Sequence, residues 1–475
     1  MLNLYADENL SQDAVHGYIP FTAAVAERDI AAAGNIVAER DIIDSPWVQR
    51  LRQIHQLQTA WLVYPTAEHT RFQHSIGTMH LASRMLQQLY PSLKEVCASE
   101  GESLPSRCYL ESLVRTAGLL HDIGHGPFGH FFDARFLSHY GLNHEKIGAY
   151  IIRNELAAML KKIRRNPLGE LNDDETLDAE HVAFLIVRPQ KEQDAYPLYL
   201  KLLRSLFCGL YTADNMDFVL RDALMTGFSP KVFDLDRLLH YSFFTKYGLT
   251  VHQKGFATLI RFLAARAELF RSVYFHRTVR AIDLDLNELF IQSRDLLFTG
   301  NPLERLDEYR HFTEWSLLVD VSRWNQSADE RKRTLYPLWN NFLNRKVTFH
   351  SAAETTAVFS TPHSEQTSIF ADDETFRRAV IQHLPDGLKT IPFAVDIARH
   401  LHRPDSNKQT GAQNFLYEPA TDKVRRLEEE ELYRHLPQSY RICRIYTQDK
   451  EHTRILAKAL ERLVNGTAED DETNM

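Results

Sequence analysis

Apolar residues recur at intervals of three and four along the chain as far as Phe349. Leu110, Leu113, Val114, Ala117 and Leu120 form one such stripe, and Leu81, Met85 and Leu89 form another. That period places the apolar side chains on one face of a helix. Helices are predicted over 47–56, 75–90, 110–123, 144–160, 198–225, 235–241, 257–298 and 314–324. Strand-like runs are few in this part. From Val347 the texture changes to Pro-, Ser- and Thr-rich stretches such as Ser360-Thr-Pro-His-Ser. Short β-like runs follow, Ile391-Pro-Phe-Ala-Val and Tyr440-Arg-Ile-Cys-Arg-Ile-Tyr, and then a last helix over 451–464. The expected fold is mostly α: a helical core with its N-terminal extension over 1–346, a smaller C-terminal α+β lobe over 347–466, and a polar, acidic, disordered tail over 467–475. The chain shows no internal repeat.

Composition narrows the setting. With 475 residues, 44% hydrophobic and 25% charged, the chain exceeds one typical domain and can bury a large core. The net charge of -8, from 63 acidic and 55 basic residues, provides no global positive field. Nucleic acid is therefore not indicated as a partner. Cys97, Cys108, Cys208 and Cys443 show no C-x-x-C spacing and read as free thiols in a reducing compartment. The N-terminus lacks a basic segment followed by a long apolar core, and no apolar run is long enough to span a bilayer. A cytoplasmic protein without a membrane segment is expected.

The chemistry concentrates in Leu119 to Phe128, L-L-H-D-I-G-H-G-P-F. The stripe ending at Leu120 turns His121 toward the core, where a polar ring needs a partner. His74 continues toward Thr78, Leu81 and Met85 on another apolar face. Asp214 follows Leu203, Phe207 and Leu210 and precedes Phe218. A carboxylate buried there unpaired would cost several kcal/mol. Alone, each residue reads as a hydrogen-bonded core position. Grouped around His121-Asp122, they point to a shared cation. Two imidazoles and two carboxylates suit iron, manganese, magnesium or zinc alike. His125, His130, His139 and His144, with Asp133 and Glu145, add proton donors near neutral pH and carboxylates to orient them. His139 reads as a surface histidine.

His74, His121, Asp122 and Asp214 resemble the H…HD…D ligand pattern of the HD-domain phosphohydrolase superfamily. The strings H-G-Y-I-P at His16, I-D-S-P-W-V-Q-R-L-R at Ile43, H-T-R-F-Q-H-S at His69 and H-D-I-G-H-G-P-F at His121 are similar to its deoxynucleoside triphosphate triphosphohydrolase branch. The similarity runs from His16 to Ile282, and with only about fifteen residues before His16 no sterile-alpha-motif domain is expected there. The resemblance implies an HD-domain helical core with a divalent metal ion. His125, His130, Asp133 and His144 match active-site positions. His130 is the general-acid candidate for a 5′-oxygen leaving group, with Asp133 holding its ring. Arg71 matches an α-phosphate arginine, and a guanidinium beside a metal suits that task. Gln56 and Asp222 match 3′-hydroxyl contacts. Arg266 and Tyr274 match a phosphate-binding arginine and a ring packed on deoxyribose. Simple helix packing is the alternative for Tyr274. Asn215, Phe218 and Phe270 depart from the family pattern, which alters the grip on the triphosphate.

Asp44, Gln49 and Arg52 match residues that read guanine in the family's allosteric pocket. Asp44 before Ser45-Pro46 also reads as a helix cap, and basic and polar residues to complete the pocket from the N-terminal segment are not evident around Asn9 to Gln12. The expected activity is hydrolysis of deoxynucleoside triphosphates to deoxynucleoside and tripolyphosphate. A GTP or dGTP activator and a homo-oligomer, tetramer or dimer, are expected alongside. The alternatives are an HD-type phosphohydrolase acting on another nucleotide or phosphoester, and a nucleic-acid-binding or scaffolding protein whose metal site is vestigial.

Overall fold

A computed structural model describes residues 8–23, 36–188, 196–401 and 414–465, so the expected tail over 467–475 lies outside the described residues. The described chain is mostly helical with small sheets. It divides into two compact units, the first from Met1–Ala265, Arg294–Asp320 and Lys408–Glu430, the second from Arg266–Ser293, Val321–Asn407 and Glu431–Met475. The single boundary expected at residue 347 follows composition along the chain. The units follow packing, in which the chain passes between them several times.

The first unit is built around the helix Arg107–Leu120, buried continuously from Tyr109 to Leu120. A helix buried on every side needs neighbours all round, and its polar residues need partners there. The Arg71–Ser99 helix packs against it. Thr70 and Gln73 close a capping box at the start of that longer helix. The Ala213–Met225 helix packs on it in turn. Two charged residues on the central helix, Glu111 and Arg115, are buried with partners: Arg115 meets Glu39 at 2.5 Å, and Ser83 donates to Glu111.

An antiparallel hairpin, Glu8–Asp13 with Gly17–Thr22, opens the described chain. Its first strand has no β-branched residue, so the pattern of the chain hides it. The turn makes it: Asp13 Oδ1 accepts the N–H groups of Val15 and His16, each at 2.9 Å. A four-stranded sheet runs in the order Lys423–Arg426, Phe415–Glu418, Gly248–His252, Ser242–Thr245, with its middle pair parallel.

The second unit holds a three-stranded antiparallel sheet with Ser439–Thr447 between His350–Phe359 and Ala394–Leu401. The central strand is buried along its whole length. Cys443 and Ile445 enter a core with Phe376, Val380 and Leu456, while Tyr440 and Ile442 join Ala267 and Phe275. This is the expected α+β part.

Several predicted helices are shorter than their apolar stripes. The one over 198–225 is two helices, Leu198–Leu203 and Ala213–Met225, because Thr212 caps the second, its Oγ accepting from Asn215 N–H at 3.0 Å. The one over 257–298 is interrupted by a π turn at Phe270–Tyr274 before Arg277–Leu297. A second π turn, Ile152–Leu156, interrupts 144–160. Such turns shift the helical phase without breaking the apolar stripe.

Candidate active site

His121 caps the C-terminus of the central helix, and His74 lies in the first turns of the Arg71–Ser99 helix. His121 Nδ1–H donates to the Gly118 carbonyl at 2.8 Å, and His74 Nδ1–H donates to Asp217 at 2.7 Å. Both rings are thereby fixed with Nε2 inward, the two nitrogens 3.1 Å apart. Asp214 Oδ1 lies 3.1 Å from His74 Nε2 and 3.8 Å from His121 Nε2, and Asp122 Oδ1 lies 3.4 Å from His121 Nε2. The four expected ligands therefore converge. Asp214 is not sealed in a core, as its stripe suggests: its side chain is 36% exposed. It stands in the first turn of a helix that begins at Ala213, where the helix dipole favours a carboxylate.

The donor set fits a divalent cation. Ligand atoms of His74, His121 and Asp122 lie within 4.8 Å of one another. Burial pulls the His74 imidazole down, yet the hydrogen bonds to Asp214 and Asp217 outweigh it and raise it to about 10. Burial raises Asp122, and His121, Arg71 and His125 overcome that to hold it well below the usual carboxylate range. A pocket that gathers carboxylates around two inward-facing imidazole lone pairs is one that a cation can fill in place of a proton.

Beside this quartet stands a second group. His125, His130, Asp133 and His144 also present ligand atoms within 4.8 Å of each other. His125 is buried and stacks on His144 with ring centroids 3.7 Å apart. Burial, with Arg71 and His144 nearby, pushes His125 well below the usual histidine range. Asp133 accepts a short hydrogen bond from His144 Nδ1, while His130 Nδ1 lies 3.4 Å away. The carboxylate is thus held more closely by His144 than by His130. The His130 ring is 71% exposed, edge-on to His125, and free to meet a ligand from solvent.

Arg71 is buried and donates from Nη1 to Asp122 Oδ2 at 2.6 Å. Its Nε–H has no acceptor among the described residues. A buried guanidinium with an unused donor suits an anion. Gly129, at φ +55, leaves Arg71 its place, since a Cβ there would sit on the Arg71 guanidinium. Gln56 and Asp222 are linked through His69: Gln56 N–H donates to the His69 carbonyl at 3.0 Å, and His69 Nε2 donates to Asp222 at 2.7 Å. The Gln56 Oε1 is buried without a partner among the described residues.

Arg266 and Tyr274 belong to the second unit. There Arg266 Nη2 donates to the Leu401 carbonyl at 3.3 Å, and Tyr274 meets Phe270 edge-on at 4.6 Å beside the Ala267, Phe275 and Tyr440 cluster. The π turn between them removes the even i, i+4, i+8 spacing of a regular helix.

Asp44 and Arg52 line a cavity of about 310 Å³ together with Asn9, Ser11, Phe21, Arg40 and Phe72. Gln49 reaches it indirectly, its Oε1 accepting from Arg52 Nε at 2.8 Å, and the Arg52 guanidinium lies 3.5 Å from the Phe72 ring centre. Two readings are corrected here. Asp44 does not cap the Pro46–Gln49 helix, because Ser45 does so with its Oγ. Of the basic and polar residues not evident around Asn9 to Gln12, polar ones do line the cavity, namely Asn9 and Ser11, brought there by the hairpin, and no basic one from that segment is among its described lining.

Residues that sequence patterns left unassigned surround these sites. Asp217 accepts from His16 Nε2 at 2.6 Å and from Arg221 Nε and Nη2, both at 2.9 Å. Asp217 and Arg221 stand four apart on the Asp214 helix, the one signal that pairs them. Arg50 donates to the carbonyls of Ile123 and His125 and to those of Tyr309, Arg310 and Phe312, and Tyr309 donates to Gly124 O at 2.8 Å. The loop after His121 is therefore fixed by side chains remote in sequence.

A model of the HD domain family matches residues 71–186. The chain is 27% identical over 385 residues to the protein YwfO of Bacillus subtilis, covering 78% of each chain. It is also 27% identical over 314 residues to the deoxynucleoside triphosphate triphosphohydrolase SAMHD1 homolog of Dictyostelium discoideum, covering 65% of this chain and 55% of that one. The chain thus spans about half the length of that relative. The crystal structure of a hypothetical protein from Aquifex aeolicus shares the fold with a TM-score of 0.65 at 22% identity, covering 95% of this chain and 100% of the other. Among the described residues no helix is long and apolar enough to cross a membrane.

Proposed function

Since the chain carries an HD domain, we propose that it is a metal-dependent phosphohydrolase that cleaves deoxynucleoside triphosphates to deoxynucleoside and tripolyphosphate. The observation that carries this reading is one neighbourhood holding three parts. It has a cation-ready quartet of His74, His121, Asp122 and Asp214, a buried arginine with an unused donor, and an exposed histidine backed by a carboxylate. Phosphoryl transfer needs those parts: a cation, a fixed positive group on the phosphate, and a proton source for the leaving oxygen. The relatives named as triphosphohydrolases favour a deoxynucleotide over other phosphoesters.

His74, His121, Asp122 and Asp214 would hold a divalent metal, which would supply Lewis-acid polarisation of a phosphoryl oxygen. The chain's own residues do the rest. Arg71 binds and orients the α-phosphate through its free Nε–H. A water oxygen bonds to the α-phosphorus as the P–O5′ bond breaks, His130 gives its proton to the departing 5′-oxygen, and the proton that the water loses goes to solvent and restores His130, while Asp133 steadies the ring and His125 packs behind it. Gln56 and Asp222 take the 3′-hydroxyl, with His69 holding Asp222 in position.

The test incubates the purified chain with each dNTP and manganese, iron, magnesium or zinc, and separates products by anion exchange. Tripolyphosphate as the first product supports attack at the α-phosphorus. Orthophosphate or pyrophosphate as the first product contradicts it.

A further inference from the structure

The N-terminal hairpin reaches the candidate metal centre from behind. His16, at its turn, has a buried side chain and places Nε2 on Asp217 Oδ1 at 2.6 Å. Asp217 is fully buried and passes its other oxygen to His74 Nδ1. The turn is itself clamped, because Arg221 bonds Asp217 and also reaches Asp13 from Nη1 at 2.8 Å. Asp13 in turn accepts the backbone N–H of His16. Asp13, Arg221, Asp217 and His16 thus form a closed ring of charge-assisted hydrogen bonds. Gly77 makes room for it, since a Cβ at that position would fall on the Asp217 and Arg221 side chains.

We propose that His16 is a positioning residue for the metal centre: by donating to Asp217 it fixes the carboxylate that orients His74, so the hairpin completes the site from a distance. A carboxylate behind a ligating imidazole sets its tautomer, direction and basicity, and disturbing such a partner weakens metal binding by about 10- to 100-fold. Arg221 holds Asp217 from its own helix, four residues on, and is tied to the hairpin through Asp13. His16 adds a donor from a separate element. The same hairpin lends Asn9, Ser11 and Phe21 to the cavity that holds Asp44 and Arg52, so one rigid strand pair touches both places.

This inference rests on the reading of His74, His121, Asp122 and Asp214 as metal ligands. The full chain is loaded with cobalt(II), and metal release into excess EDTA is followed by visible absorbance for wild type, His16→Ala, His16→Asn and His16→Gln. His16→Ala is expected to release cobalt about 10- to 100-fold faster with a shifted cobalt band. His16→Gln can still present an Nε2–H and is expected closer to wild type, whereas the shorter His16→Asn is expected to resemble Ala. A residue that only pins the hairpin would alter thermal stability and leave the cobalt band unmoved. Release rates and spectra of Ala and Asn equal to wild type overturn the inference while leaving the ligand reading standing. If His16→Ala does not fold, the comparison of Asn with Gln decides it in the same way. A wild-type chain that takes up no cobalt overturns the ligand reading and this inference with it.

Discussion

His121 and His74 face each other because each spends its Nδ1–H on a fixed acceptor, the Gly118 carbonyl for one and Asp217 for the other. The proposed ligand role rests on that arrangement, and it predicts how single residues behave. Asp214→Ala, and the double change His121→Ala with Asp122→Ala, are expected to lose the metal and all hydrolysis while remaining folded. Elemental analysis checks this, and full occupancy in either variant would refute the ligand assignment. His130 is different in kind: it is exposed and stands outside the quartet. His130→Ala is expected to lower kcat by about 10² or more, with metal content near that of wild type. Loss of metal along with activity would place His130 among the ligands instead. The residues legible in advance were those whose polarity contradicts an apolar face, His74 and His121 above all. Asp217, His69 and His16 were not, because each looks like an ordinary polar residue until its partner, remote in sequence, is seen.

At the scale of elements, the Arg71–Ser99 and Ala213–Met225 helices approach closely at Gly77. Gly77→Ala is expected to push Asp217 and Arg221 aside, destabilising the fold by about 1–3 kcal/mol as an overpacked core does. Thermal unfolding measures that, and metal content measures the displaced Asp217. Unchanged values for both would mean that the helices have slack the structure does not reveal. Element existence was legible where a stripe was long. Element ends were less so, since the stripe through Leu203, Leu210 and Phe218 runs across a break capped by Thr212. The hairpin Glu8–Thr22 was hidden because its order comes from Asp13 bonding its own turn, not from β-favouring residues.

The second unit carries its own pH dependence. Arg399 and Arg441 meet Glu365 beneath the central strand, Arg399 Nη2 at 2.6 Å and Arg441 Nε at 2.9 Å. Burial raises the Glu365 carboxyl, and those hydrogen bonds overcome it to bring it down to about 2 from an ordinary 4.5. A folded value below the unfolded one adds stability that is fully present above pH 4.5 and is lost as pH falls from there toward 2. Glu365→Gln is expected to cost about 1–3 kcal/mol at neutral pH, since it leaves the buried Arg441 guanidinium short of a counter-charge, while the half-exposed Arg399 is screened by solvent. Its unfolding free energy is also expected to vary less with acidification than that of wild type, as measured by urea titration at stepped pH. Parallel curves for the two proteins would remove Glu365 from the acid response.

For the whole molecule the open matter is control of the activity. The cavity of about 310 Å³ offers a carboxylate on Asp44, guanidiniums on Arg52 and Arg40, and amide and hydroxyl groups on Asn9 and Ser11. Phe72 adds a ring face beneath Arg52. A carboxylate acceptor with flanking donors matches the edge of guanine, and the guanidiniums suit its phosphates. On the family resemblance, GTP or dGTP bound there is expected to raise hydrolysis of the other dNTPs by favouring a homo-oligomer, tetramer or dimer. Asp44 does not cap the helix that follows it, so Asp44→Ala should leave folding and metal content intact and act on the nucleotide alone. The variant is expected to need at least about tenfold more activator for half-maximal rate, as loss of a charged hydrogen bond of 1.5–3 kcal/mol implies. Light scattering and rate measurements are made with and without each guanine nucleotide, on wild type and Asp44→Ala. If mass and rate in wild type do not respond to either nucleotide, the cavity is not an activator site. If both proteins respond at the same concentration, the activator binds somewhere other than Asp44.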